Sequence, residues 1–118
     1  MSGGANEREQ ERKRRIGRNE ALFRKVNEQV EIVNEAFGGV TGDFAVVCEC
    51  GDAGCIKQLR VSHAVYERVR SDPRLFIILP GHEIPEAEDI VERSEEYDIV
   101  QKHEGEPAEL ARELDDRS

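Results

Sequence analysis

Leu22, Val26, Val30, Val33 and Phe37 recur at spacings of four, four, three and four, which places them on one face of a helix. Asn19 suits its N-cap and Gly38-Gly39 its stop, so the pattern predicts an amphipathic helix of about 18 residues with this stripe packed against the core. An exposed stripe would instead be a dimerisation or partner-docking surface. From Asp43 to Cys50 the period changes to two. Phe44, Val46, Cys48 and Cys50 fall on one face and Ala45, Val47 and Glu49 on the other, as in a strand, with Ile56 to Val61 as its antiparallel partner.

Ser62 is placed to cap a short helix through about Ser71, with Val65, Tyr66 and Val69 facing inward, the Tyr66 hydroxyl at the surface, and Asp72-Pro73 as terminator. Leu75 to Leu79 is the most apolar run and reads as a central strand buried on both sides. Ile90 to Arg93 and Tyr97 to Lys102 then read as a hairpin turned by Ser94-Glu95-Glu96. Pro107 opens a weakly amphipathic helix containing Ala108, Leu110, Ala111 and Leu114. The expected fold is α+β. A mostly antiparallel four- or five-stranded sheet carries a long N-terminal helix, a short middle helix and a cysteine-bearing hairpin.

Charge divides the chain. Residues 1–18 hold six basic and three acidic side chains, a net of +3, whereas residues 83–118 hold fourteen acidic and four basic ones, a net of -10. The expected organisation is a basic, disordered arm over 1–18, one α+β domain over 19–103 and an acidic tail over 104–118 that forms a short helix. Gly17 weakens backward extension of the first helix. The overall charge of -9 argues against nucleic-acid binding by the folded body. The basic arm is the one candidate for such contact, although it lacks interleaved aromatic residues for stacking on bases. No run of apolar residues approaches the length of a membrane helix and no secretory segment is present, so a cytoplasmic location is expected.

All three cysteines fall within Cys48-Glu49-Cys50-Gly51-Asp52-Ala53-Gly54-Cys55. In an extended chain, Cys48 and Cys50 face the same side, and the two glycines let the backbone curl so that Cys55 returns toward them. Three thiolates converging in a polar turn point to Zn²⁺, which takes about four tetrahedral ligands in a structural site. A Cys48–Cys50 disulfide would be strained, and an odd cysteine count leaves one thiol over. The fourth ligand must come from elsewhere: His82, His63, His103 or Asp52. His82 is favoured because it sits in the Leu79-Pro80-Gly81-His82-Glu83 turn after the apolar run. That choice requires the strand before Pro80 to run antiparallel to the one after Cys55; a parallel strand would leave His82 about 20 Å away.

The Cys48, Cys50, Cys55 spacing resembles the post-SET zinc segment of lysine methyltransferases, in which three cysteines also take a fourth ligand from another part of the protein. That resemblance spans eight residues and implies metal ligation alone. More broadly, Cys48 to Cys55, Tyr66-Glu67-Arg68-Val69-Arg70 with Asp72-Pro73, and Pro80-Gly81-His82-Glu83 resemble a group of small, uncharacterised actinobacterial proteins over residues 19–103. This resemblance supports pairing His82 with the cysteines and implies no reaction.

Gly38-Gly39-Val40-Thr41-Gly42 lacks the lysine of a phosphate-binding loop, and Ser62, Ser71 and Ser94 lie in no nucleophile motif. Glu83 could orient His82 or serve as a base at an open metal site. A filled Cys₃His site leaves no open position, so the leading expectation is a non-catalytic, zinc-binding interaction or regulatory protein with an unidentified protein partner. The alternatives are a thiol-based redox or metal sensor, and nucleic-acid contact through the basic arm.

Overall fold

The structure, a computed structural model, describes residues 3–36, 42–115 and 117, with the side chains of residues 3–6 left aside. Helix α1 (Gly3–Ala36) is followed by strands β1 (Asp43–Val47) and β2 (Gln58–Ser62) and helix α2 (His63–Arg70). Strands β3 (Leu75–Ile78), β4 (Glu88–Arg93) and β5 (Asp98–Lys102) and helix α3 (Glu106–Glu113) complete the chain. The architecture is α+β. The five antiparallel strands divide into a β1–β2 hairpin and a three-stranded sheet in the order β3-β5-β4, rather than one sheet. The division falls where the chain leaves β1 for the cysteine loop. There, one backbone bond, Glu49 N–H to Ile77 O at 2.9 Å, links the loop to β3.

The Ile90–Lys102 hairpin forms as expected and closes with Ser94 N–H donating to Tyr97 O at 2.8 Å. It places β5, not β3, at the centre of the sheet. Phe76, Ile77 and Ile78 are nonetheless buried with Ile99 and Val100, because hairpin residues Phe44, Val46, Leu59 and Val61 and α2 residues Tyr66 and Val69 share their core. Ser62 caps α2 by accepting from Val65 N–H. The Tyr66 hydroxyl is buried rather than at the surface and donates to Glu49 at 3.5 Å.

Helix α1 departs most from the sequence pattern. It is continuous from Gly3, so residues 3–18 are helical where an arm is expected. Its 34 residues span about 51 Å of the 57 Å long axis of the molecule. The helix runs through Gly17, where a Cβ would lie 2.6 Å from Leu110 Cδ2, so the missing side chain lets α3 approach. The inward face is largely polar, with Glu20, Arg24, Asn27 and Glu31 buried, while Leu22, Val26 and Val33 are 57, 41 and 53% exposed. Val30 alone among the described stripe residues packs against the core; Phe37 and Gly38-Gly39 lie outside the described residues.

Arg24 and Asn27 bind backbone, whereas Glu20 and Glu31 pair with charged side chains. Arg24 donates to Pro73 O at 2.7 Å and Ala111 O at 2.9 Å, and its guanidinium lies 4.6 Å from the Phe76 ring centre. Asn27 pairs with both Val47 O and Val47 N–H at 2.8 Å. Lys102 Nζ reaches Glu20 at 2.6 Å and Glu88 at 3.0 Å. Burial and the neighbouring Glu88 push the Glu20 carboxyl well above its ordinary pKa. Burial opposes the Lys102 ammonium, but Glu20 and Glu88 outweigh it and raise its pKa.

Candidate metal centre

A continuation of the β1–β2 ladder and two turns build the centre. Cys48 N–H bonds to Lys57 O at 2.9 Å, continuing the hairpin ladder beyond Val47. Cys55 N–H bonds to Asp52 O at 3.0 Å, and Asp52 Oδ1 accepts from Gly54 N–H at 2.9 Å, so the aspartate shapes the loop that returns Cys55. After β3, His82 N–H closes onto Leu79 O at 3.1 Å through Pro80 and Gly81. The positive φ of 87° at Gly81 is the backbone conformation such a Pro-Gly turn requires. Because β3 ends beside the cysteine loop, the imidazole faces the thiols across the gap between the two sheets.

The sulfurs of Cys48, Cys50 and Cys55 and a ring nitrogen of His82 all lie within 4.8 Å of one another. His82 Nδ1 is 3.5 Å from Cys48 Sγ and 3.8 Å from Cys55 Sγ. A tetrahedral zinc with its usual bond lengths has sulfur-to-nitrogen edges of roughly 3.6 Å. The donor set fits that ion in chemistry and spacing, and the cluster could hold a metal. Leu79 N–H donates to Cys48 Sγ at 3.2 Å, which favours the thiolate form. Cys50 is drawn down to about 5, first by its hydrogen bond with Cys48 and then by His82 and Cys55 against the cost of burial. Cys48 is pushed upward, first by the same hydrogen bond and then by burial. Metal binding would expel the protons that the thiols hold.

The remaining candidates go elsewhere. His63 lies between Glu31 and Glu35, at 3.2 and 3.5 Å; His103 pairs with Asp89 at 3.2 Å; and Asp52 is engaged in its own turn. Glu83 Oε2 is buried without a hydrogen-bond partner.

Glu49 and Gly51 support the site in ways that strand alternation conceals. Strand alternation sets Glu49 on the face opposite the cysteines, with Ala45 and Val47, and its side chain is fully buried. Its Oε1 accepts from Ile77 N–H at 3.1 Å and its Oε2 from Asn27 at 2.8 Å. Burial lifts its pKa to about 6, against the opposing effect of these hydrogen bonds. A Cβ on Gly51 would meet Ile16 Cγ2 at 2.3 Å and Ile84 Cδ1 at 2.9 Å. Asn19, expected as an N-cap, instead donates to Gly51 O at 3.1 Å and fastens the loop to α1. The signal available in the sequence was a polar series on α1, Glu20, Arg24, Asn27 and Glu31, with the spacing of a buried face. No protein-family model matches the chain, and no curated protein or solved structure is significantly similar to it.

Proposed function

We propose that the protein is a small zinc-bound interaction or regulatory module in which a structural Zn²⁺ is held by Cys48, Cys50, Cys55 and His82. The observation that carries this reading is the convergence of three sulfurs and one imidazole nitrogen within 4.8 Å. Four protein donors complete a tetrahedral shell, so the ion organises structure and has no open position for substrate. A reducing compartment such as the cytoplasm would keep the thiols available. The interaction role is supported by the exposed Leu22, Val26 and Val33 on α1. Arg8 and Arg15 continue that line at seven-residue steps and are also exposed, so a protein partner with an apolar helix face and acidic residues at one end is the fitting occupant.

The test is native mass spectrometry with elemental analysis of protein purified without added metal, repeated on His82→Ala. One zinc per chain, weakened or lost in the variant, is expected. A metal-free chain with three rapidly reacting thiols would overturn the structural reading and favour a redox sensor. The depressed pKa of Cys50 supports that second reading, but the burial of all three cysteines weighs against it. Nucleic-acid contact through the basic segment is less favoured, since Arg12 and Arg14 face Glu86 and Glu106.

A further inference from the structure

Glu31 and Glu35 stand four residues apart on α1, and His63 and Glu67 stand four residues apart on α2, so each helix presents two donors from one face. The two faces meet. One ligand atom from each of the four side chains lies within 4.8 Å of all the others. His63 Nδ1 is 3.2 Å from Glu31 Oε2, yet both atoms are buried and neither makes a hydrogen bond. The Glu31 side chain is only 4% exposed. Its Oε1 receives Arg117 Nη2 at 3.0 Å, which leaves Oε2 directed into the cluster as a buried acceptor without a donor.

Local charge is unbalanced in the same direction. Arg117 pairs with Glu28, Glu31 and Glu67, and Arg70 with Glu28 and Asp115. Arg24 acts on Asp115 and Arg70 as well, so with Glu35 beside His63 the neighbourhood holds five carboxylates against three guanidinium groups.

The geometry points to a second metal site, in which Glu31, Glu35, His63 and Glu67 hold a divalent first-row transition ion. One imidazole nitrogen with three carboxylates suits Mn²⁺, Fe²⁺, Co²⁺ or Zn²⁺, whereas Ca²⁺ and Mg²⁺ favour all-oxygen shells. The partial exposure of Glu35 and His63 provides an entry route and room for water to complete the shell. Such an ion fastens the C-terminal part of α1 to the start of α2, far along the helix from the Gly17–Leu110 contact with α3. It makes the seating of α1 depend on metal supply.

The test is a titration of the full chain with Mn²⁺, following the loss of the free-ion signal by electron paramagnetic resonance. Mn²⁺ is a poor thiolate binder, so the readout is independent of the cysteine centre. One saturable ion per chain is expected, with His63→Ala and Glu35→Gln each weakening binding at least about tenfold and Leu22→Ser, at an exposed position of the same helix, leaving it unchanged. Circular dichroism checks that the variants remain folded; half-exposed Glu35 offers the variant least disruptive to packing. Absence of saturable binding below about 1 mM, or binding by both variants as tight as that of the parent, overturns the assignment and leaves His63 as an ion-pair partner of the two glutamates.

Discussion

Gly51 shows how one residue can decide whether the metal loop packs. Its missing side chain is occupied space: Ile16 from α1 and Ile84 from the loop before β4 fill it. Gly51→Ala is therefore expected to destabilise the protein by about 1–3 kcal/mol, measured as a lower urea midpoint at unchanged slope. Glu49 carries a separate pH signature. Its folded pKa of about 6 exceeds the ordinary carboxylate value, so the folded state holds its proton more tightly than the unfolded state. Its contribution is greatest below about pH 4.5 and is lost as pH rises to about 6, an effect of about 2 kcal/mol. Subtracting the stability profile of Glu49→Gln from that of the parent should isolate this fall; a rise through the same window would contradict the assignment. Strand alternation records only that Glu49 leaves the chain on the face opposite the cysteines. It carries no information about Asn27 and Ile77, whose donors make that burial tolerable.

At the scale of elements, α1 buries Glu20, Arg24, Asn27 and Glu31 while it leaves Leu22, Val26 and Val33 exposed. Asn27 satisfies both backbone groups of Val47 and also binds Glu49, so its truncation strands several buried polar atoms. Asn27→Ala should cost about 3 kcal/mol. Leu22→Ser, on the stripe that sequence periodicity assigns to the core, should change stability by less than about 0.5 kcal/mol because that side chain is largely exposed. Parallel chemical denaturation of the two variants checks the contrast. The individual elements were largely legible: Ser62 capping α2, the β1–β2 knuckle, the β4–β5 hairpin and the Pro107 helix all depend on neighbours within a few residues. The seating of α1 was not legible, because Arg24 and Asn27 bind carbonyls supplied by Pro73, Ala111 and Val47, remote in sequence.

Across the whole molecule, the proposed zinc joins parts that secondary structure leaves separate. Three donors belong to the loop of the β1–β2 hairpin and the fourth follows β3 of the other sheet. Chelation is therefore expected to lower the melting temperature by more than about 10 °C and to expose all three thiols; calorimetry and thiol titration provide the readouts. An unchanged melting temperature after verified removal of zinc would show that the sheets do not rely on the ion. Lys102 performs a second long-range connection, joining β5 to α1 and β4 through two buried carboxylates. Lys102→Met should cost about 3–5 kcal/mol, because it leaves Glu20 and Glu88 uncompensated.

The sequence by itself determined the thiolate chemistry, the curl of the cysteine loop, the Pro-Gly turn that carries His82, and the α+β succession of elements. Each follows from residue type and short-range backbone preference. Tertiary structure alone decided that His82 rather than His63 or His103 meets the cysteines, that five strands divide into two sheets, and that α1 turns polar residues inward. Those outcomes depend on where chain segments tens of residues apart place unpaired donors, acceptors and charge. A buried polar group is stable only where folding brings it a partner.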